Sequence, residues 1–248
     1  MSATASMAYT PARLTARSVV LSMLLGAHPA WAGSAELVRL AAEFGIKETT
    51  LRVALTRMVG AGDLIRSADG YRLSARLLAR QRRQDEALDP DVRPWRGEWI
   101  TPVITSVGNG ARTRATLRTA LQHNRFGELR EGVWLRPNNL PVALDAATLR
   151  QLRILTTRDD DPVDLAGRLW DLPAWARQGA QILSALTDAT DLAARFTAAA
   201  AAVRHLLTDP VLPEELQPPH WPGPELRVAY REFAAELGEH RPLALETP

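Results

Sequence analysis

The chain has 248 residues, of which 30 are Lys or Arg and 28 are Asp or Glu, and 46% are hydrophobic. This length and hydrophobic content suffice for more than one buried core, and they exclude an intrinsically disordered or collagen-like chain. The sequence contains no cysteine, which excludes disulfides, a thiol nucleophile and thiolate metal ligands.

The charge is unevenly distributed along the chain. Residues 1–87 carry 12 Lys or Arg and 7 Asp or Glu, a net charge of +5, whereas residues 88–248 carry 18 and 21, a net charge of −3. A basic front third joined to a mildly acidic remainder is typical of a nucleic-acid-binding module fused to a regulatory module.

The N-terminal residues have some features of a signal peptide. Arg13 and Arg17 precede the apolar run 19–25, and Ala30-Trp31-Ala32 resembles a cleavage site. Ser22 interrupts the apolar run, and the residues that follow complete a three-helix pattern only if this segment is the first helix. We therefore expect a cytoplasmic protein. No apolar run reaches the roughly 18 residues of a membrane span, so no membrane partner is expected.

Three helices are predicted within the first 60 residues. Apolar residues recur at three- and four-residue steps over 14–27, the pattern of a helix with one buried face. Ser34 is a suitable N-cap for a second helix over 35–44, and Gly45 is a suitable terminator. The third helix is predicted over 47–59.

The third predicted helix has a polar side, and a hairpin follows it. The runs 63–66 and 70–73 flank a short Asp-Gly turn. Three helices and a hairpin predict a winged helix-turn-helix, whose second paired helix fits the major groove of duplex DNA.

The candidate DNA-binding residues are polar or basic residues of the third helix and of the hairpin. They are Thr49, Thr50, Arg52, Thr56 and Arg57 on the helix, and Arg66 and Arg72 on the hairpin, or wing. The Thr side chains suit base-edge or phosphate hydrogen bonds, and the Arg side chains suit base reading or phosphate anchoring. The alternative is that these residues form only the solvated face of a small helical bundle.

The sequence also resembles a known protein family. The segments that carry the resemblance are 17–26, 36–40, 44–46, 51–59 and 61–64 in the front third, 95–99 and 131–137 in the middle, and 209–216 with 220–223 near the end. They resemble PaaX-type repressors, which regulate phenylacetic acid catabolism, and the resemblance spans nearly the whole chain. Lys47 departs from the family, which usually has a small hydroxyl residue there as the N-cap of the recognition helix.

The resemblance implies a function, an effector and partners. It implies a ligand-responsive bacterial transcriptional repressor of an aromatic or acyl-CoA catabolic operon, which binds double-stranded operator DNA as a homodimer. It also implies that an aryl-CoA or related acyl-CoA thioester, such as phenylacetyl-CoA, lowers the affinity for DNA. No other cofactor is expected.

The rest of the chain predicts two further domains. After a linker helix over 74–88, strands are predicted over 99–107 and 152–156, a strand or hairpin arm over 126–135, and helices over 111–124, 146–152 and 163–170. This βαββαβ-like order predicts a ferredoxin-like domain. Helices over 175–186, 192–207 and 225–237 follow. The predicted fold class is therefore α+β, with a winged helix-turn-helix at 1–88, a ferredoxin-like domain at 95–171 and a helical domain at 172–248.

A metal-dependent nuclease is an alternative function. The central domain of PaaX-type proteins is similar to the Cas2 nucleases, which need carboxylates at the end of their first strand to hold a divalent metal. Residues 104–109 contain no acid, and the acidic run 159–161 is expected to be a solvated loop. No metal site, catalytic residue or enzyme activity is assigned, because no histidine pair, nucleophile elbow or Walker loop is present. A regulator that responds to a non-CoA ligand or a protein partner remains another alternative.

An aryl-CoA effector would require an aromatic-lined pocket and arginines for its phosphates. The candidates are Arg96, Trp99, Trp134 and Arg136, because alternate residues on paired strands can place a Trp and an Arg near one cleft. A packing role is the alternative for each Trp. The turn 108–110, ahead of Arg112 and Arg114, is a second candidate anion site or simply a glycine turn that opens a helix.

Overall fold

The computed structural model describes residues 14–105 and 110–239. The helices are α1 Ala16–Gly26, α2 Ser34–Glu43, α3 Glu48–Gly60, α4 Ala75–Leu88, α5 Ala111–His123, α6 Ala146–Leu149, α7 Pro162–Leu169, α8 Leu172–Asp188, α9 Leu192–Leu206 and α10 Gly223–Glu239, with a 3-10 turn at Glu214–Leu216. The strands are β1 Trp31–Gly33, β2 Leu64–Arg66, β3 Gly70–Leu73, β4 Trp99–Ile104, β5 Gly127–Arg130, β6 Val133–Pro137 and β7 Leu152–Thr157.

Within the described residues, the chain forms two compact units. The first unit contains the residues up to Asp89, Gln178–Leu207 and the residues from Pro224 on, and the second contains Pro90–Arg177 and Thr208–Gly223. The segment 172–248 therefore contributes to both units, and the division falls within α8. The three-domain division stays a prediction of the sequence.

The front of the first unit has the three helices and the hairpin that the sequence predicts. The apolar faces of the helices converge on one core, in which Leu24, Leu37 and Leu51 are essentially inaccessible to solvent. Strands β2 and β3 form the predicted antiparallel hairpin. The periodic burial of apolar residues explains why these segments fold as they do.

The structure adds a strand that the sequence did not indicate. Trp31–Gly33 pairs antiparallel with β3, which gives a three-stranded sheet of order β1-β3-β2. The residues that resemble a signal-peptide cleavage site therefore belong to a sheet, and Ala32 is fully buried. A three-residue strand has too little alternation to be visible as a pattern.

The predicted N-cap of α2 is wrong by one position. Ser34 is the first residue of the helix, and Gly33 is the N-cap, whose N–H donates to Glu36 Oε2 at 3.3 Å. The predicted end of the helix is confirmed, because Gly45 has a φ of 66°. That left-handed conformation lets the Ile46 N–H donate back to Ala41 O at 2.9 Å.

The C-terminal helices of the first unit pack on α4. Phe196 and Leu206 of α9 share a core with Ala87 of α4 and Leu226 of α10. Arg227 Nε donates to Ala87 O at 2.9 Å, which satisfies a carbonyl at the end of α4. Helices α4, α9 and α10 therefore form a second layer behind the winged helix.

The second unit confirms the predicted ferredoxin-like order. Its strands form an antiparallel sheet of order β5-β6-β4-β7, and helices α5 and α6 connect β4 to β5 and β6 to β7. Of the two alternatives for the segment 126–135, the structure has the hairpin, which β5 and β6 form. Each face of the sheet has its own core, one around Trp99 and Leu165 and the other around Ile100 and Leu121.

Among the described residues, no helix is long and apolar enough to cross a membrane.

Gly70 is required by the close approach of two strands. A Cβ at this position would lie 2.2 Å from Ala32 O, whereas a Cβ at Gly60 meets no atom within 4 Å. We expect Gly70→Ala to lower the free energy of unfolding by about 1–3 kcal/mol, because β1 must move away from β3. Gly60→Ala is the control and should be neutral or stabilising in urea unfolding. Equal stability of the two variants would contradict the strand pairing.

Candidate nucleic-acid interface

Helix α3 buries one face and exposes another. Leu51, Leu55 and Met58 are buried in the core of the winged helix. The five candidate residues of this helix, Thr49, Thr50, Arg52, Thr56 and Arg57, are all exposed, and Val53 between them is 50% exposed. The structure therefore brings the predicted helical residues together on one solvent-facing surface, which we call the α3 face.

The N-terminus of α3 has no side-chain cap. Lys47 is the N-cap residue, and its side chain makes no capping hydrogen bond. The departure at Lys47 therefore leaves the first N–H groups of α3 available to solvent or to a ligand. Such groups, together with the helix dipole, favour the binding of an anion such as a DNA phosphate.

Arg52 has a partner that the sequence analysis missed. Its Nε and Nη2 donate to Glu48 Oε1 at 2.9 and 2.5 Å, one helical turn away. Both side chains are exposed, at 75% and 49%, and exposed pairs of this kind contribute only about 0.3–0.5 kcal/mol. A phosphate or a guanine can therefore replace Glu48 at small cost. The i, i+4 spacing was the signal that could have found this pair.

Arg57 differs from Arg52 in its ion-pair partners. Within residues 14–105 and 110–239, no carboxylate forms an ion pair with Arg57. Arg57 lines a groove of about 620 Å³ with Thr50 of the same helix and Arg17 of α1. Two guanidinium groups thus line one groove beside α3.

The two wing arginines lie on opposite faces of the hairpin. Arg72 pairs with Ile65, and Arg66 pairs with Tyr71. Because directly paired residues share a face and neighbours alternate, Arg66 and Arg72 point in opposite directions. Both are exposed. They can contact different parts of a DNA backbone, but not the same phosphate.

Asp63 is a structural residue that sequence analysis did not identify. Its side chain is 2% exposed, and its Oδ2 accepts from Arg17 Nη2 of α1 at 2.8 Å, while its Oδ1 accepts from Arg76 Nη2 of α4. Its backbone N–H donates to Met58 O at 2.9 Å, and its carbonyl accepts from Ser74 N at 3.0 Å. This one residue ties α1, α3 and α4 to the start of the wing.

The four candidate effector-binding residues do not form one cleft. Trp99 pairs with Pro137 across β4 and β6, and Ile100 pairs with Arg136. Trp99 therefore lies on one face of the sheet, and Trp134 and Arg136 lie on the other. Trp99 and Trp134 are 0% and 3% exposed, each in a different core. The four residues therefore do not share one cleft, and both tryptophans pack in cores. A role of these residues in binding an effector stays a prediction.

Arg136 is fully buried in the second unit, whereas Arg96 is exposed. Arg136 Nη2 donates to Leu140 O at 2.9 Å and to Pro141 O at 3.0 Å, and its guanidinium lies 5.0 Å from the centre of the Phe126 ring. Burial, with a smaller contribution from Arg125, lowers the pKa of Arg136 to about 10. Through these hydrogen bonds, Arg136 holds the loop that follows β6.

The second candidate anion site falls partly outside the described residues. Gly108 and Asn109 of the turn 108–110 are not described, and Arg112 and Arg114 are exposed at the start of α5. In the described part of the chain, no cluster of three or more His, Asp or Glu residues could hold a metal ion.

Family models match three successive parts of the chain. A model described as "PaaX-like protein" matches residues 15–77, one described as "PaaX protein central Cas2-like domain" matches 92–157, and one described as "PaaX-like protein C-terminal domain" matches 172–242. The first match covers the winged helix, and the second covers the sheet of the second unit.

A solved structure is similar to this chain over most of its length. It is "Uncharacterized protein Rv0674 from Mycobacterium tuberculosis", with 63% sequence identity and a TM-score of 0.80. The match covers 91% of this chain and 96% of that chain. No curated protein matches this chain.

The buried carboxylate of Asp63 generates a testable prediction. We expect Asp63→Asn to lower the free energy of unfolding by about 1–3 kcal/mol, because two charge-assisted hydrogen bonds are weakened without a change of side-chain size. Asp69→Asn is the control, because Asp69 is exposed in the turn of the wing and its replacement should change stability by less than about 0.5 kcal/mol. Urea unfolding of both variants measures the difference, and equal midpoints would contradict the anchoring role.

Proposed function

The chain belongs to the PaaX family of transcriptional regulators, and from this premise we propose that it is a repressor that binds operator DNA through the α3 face and the wing. It binds as a homodimer, acts in the cytoplasm and performs no catalysis. Its target is an operon for the catabolism of an aromatic or acyl-CoA compound. An aryl-CoA or related acyl-CoA thioester, such as phenylacetyl-CoA, releases it from DNA.

The observation that carries the DNA-binding part of this proposal is the α3 face. A major groove about 12 Å wide admits one helix, whose side chains can then reach base edges and phosphates. The α3 face offers three hydroxyl groups and two guanidinium groups to such a groove: Thr49, Thr50, Thr56, Arg52 and Arg57. The net charge of +5 over residues 1–87, counted from 12 basic and 7 acidic residues, favours the same contact.

Within the α3 face, Arg57 and Arg52 have different roles. Arg57 has no acidic partner among the described residues and is free to bind a phosphate or a base directly. Arg52 is oriented by Glu48, so DNA must displace a carboxylate before Arg52 can bind. The threonine hydroxyls add hydrogen bonds, although Thr56 Oγ1 already donates to Arg52 O at 3.0 Å.

The effector and the homodimer rest on the resemblance to the family. In a dimer, two winged helices contact two half-sites about one or two helical turns apart. A ligand that changes the spacing or the order of these elements lowers the affinity for DNA without touching the DNA itself.

Fluorescence anisotropy with the full chain tests the proposal. The labelled duplex is the DNA upstream of the protein's own coding region, and a shuffled duplex of the same composition is the control. We expect tighter binding to the native duplex, weaker binding at the higher of two salt concentrations, and release by phenylacetyl-CoA. Equal affinity for both duplexes would contradict the proposal. Specific binding that no acyl-CoA releases would contradict the effector and favour a non-CoA ligand or a protein partner.

Substitution of Arg57 tests whether this residue contacts DNA. We expect Arg57→Ala to weaken binding by about 1–3 kcal/mol, as the loss of one base or phosphate contact does. Arg112→Ala removes the same charge from an exposed position of the second unit and should leave affinity unchanged. If both variants bind like the parent, Arg57 does not contact DNA.

Arg52 and Glu48 form a second matched pair of substitutions. Arg52→Ala should cost about 1–3 kcal/mol, with relaxed selectivity at one base pair if Arg52 reads a base, and equally for all sequences if it binds a phosphate. Glu48→Ala should instead strengthen binding, because it removes the carboxylate that competes with DNA for Arg52. Weaker binding of Glu48→Ala would show that Glu48 positions Arg52 rather than competes for it.

A further inference from the structure

The first unit contains a cavity that is separate from the α3 face. Its volume is about 590 Å³, which is within the usual range for small-molecule sites. Residues of α1, α2, α4, α9 and α10 line it. All of these residues belong to the first unit.

One part of the cavity is cationic. Arg17, Arg80 and Arg204 come from three different helices and all line it. Burial lowers the pKa of Arg80, and the charges of Arg204, Arg83 and Arg17 lower it further. The three side chains give the wall of the cavity positive charge. In the described part of the chain, neither Arg80 nor Arg204 forms an ion pair.

Another part of the cavity is apolar and aromatic. Phe196 of α9 and Phe233 of α10 line it, with their ring centres 6.4 Å apart at 75°. Phe196 and Arg204 are eight residues apart on α9, which is about 12 Å along the helix axis. The cavity therefore has an aromatic end and an arginine end. Arg204 is exposed, so the arginine end opens to solvent.

Two carboxylates also line the cavity. Glu36 accepts a hydrogen bond from Gly33 N at 3.3 Å, so it belongs to the start of α2. Glu43 is exposed at the end of α2. Glu43 forms no ion pair with an arginine of the cavity among the residues that the structure describes. Because Arg80 and Arg204 form no ion pair within the same described residues, their positive charge is available to an external anion.

We propose that this cavity binds an organic anion that carries an aromatic or acyl group, with the apolar group against Phe196 and Phe233 and the anionic group on Arg80 and Arg204. Guanidinium groups bind carboxylates and phosphates through two parallel hydrogen bonds. Because Arg204 opens to solvent, a longer phosphate-bearing tail can extend outward. This inference rests on the proposed function, because it gives a site to the effector that the proposed function requires.

The cavity has a direct physical connection to the DNA-binding elements. Arg17 lines it and also donates to the buried Asp63 carboxylate at 2.8 Å. An anion beside Arg17 competes with Asp63 for the same guanidinium, and Asp63 holds α1 and α4 to the start of the wing. An anion that reaches Arg17 therefore weakens the ion pair that holds α1 to the start of the wing.

Isothermal titration calorimetry of the full chain, without DNA, tests the site. The probes are phenylacetyl-CoA, phenylacetate and coenzyme A, and the variants are Arg80→Gln, Arg204→Gln and the control Arg82→Gln. Arg82 is an exposed arginine of α4 that does not line the cavity. We expect phenylacetyl-CoA or phenylacetate to bind, and Arg80→Gln and Arg204→Gln each to weaken binding at least about tenfold, as the loss of a charged hydrogen bond does. Arg82→Gln should bind like the parent.

A second substitution tests the apolar end. Ala200→Trp places a large side chain on the wall of the cavity and should abolish binding, while an unchanged affinity for DNA shows that the chain is folded. Absence of binding by all three probes overturns the assignment, and so does binding that Arg80→Gln, Arg204→Gln and Ala200→Trp leave unchanged. Binding at the cavity that does not alter the affinity for DNA supports the site and contradicts the proposed release by effector.

Discussion

The winged helix depends on one buried carboxylate. Asp63 is placed where α3 has ended and the wing begins, and two arginines from α1 and α4 donate to it. Its backbone forms hydrogen bonds with Met58 of α3 and with Ser74, which precedes α4. A buried carboxylate requires such partners to be tolerated. Because these partners come from α1, α3 and α4, Asp63 fixes the wing relative to α3 and connects both to the cavity through Arg17.

Much of this fold follows from hydrophobic periodicity. The three helices, the hairpin and the βαββαβ order each extend over enough residues for a repeating apolar pattern to appear, and Gly45 marks the end of α2 by its left-handed conformation. The exposure of Thr49, Thr50, Arg52, Thr56 and Arg57 follows from the same periodicity, because Leu51, Leu55 and Met58 fix the buried side of α3. The periodicity of apolar residues does not show which partner an exposed polar residue has. The ion pair between Arg52 and Glu48 is one example.

Other features depend on contacts between distant residues, which a local pattern does not contain. Strand β1 exists because β3 pairs with it, and the carboxylate of Asp63 acquires its role from Arg17, 46 positions earlier. The expectation of one effector cleft at Trp99, Trp134, Arg96 and Arg136 requires Trp99 and Trp134 to lie on the same face of the sheet. The register of β4 and β6 places them on opposite faces. The cavity in the first unit combines residues of five helices and has no sequence signature.

In the proposed function, α3 enters a groove of operator DNA, and a cleaving label attached to α3 tests this contact directly. The chain has no cysteine, so Val53→Cys, on the α3 face, can carry the only iron-EDTA chelate of the protein, and Val163→Cys, 59% exposed in the second unit, is the control. Hydroxyl-radical cleavage of the bound duplex then maps the label. If α3 enters the groove, we expect cuts clustered in each half-site for the Val53→Cys conjugate and none there for the control. Uncut DNA with a bound Val53→Cys conjugate, or the same pattern from both conjugates, would contradict it.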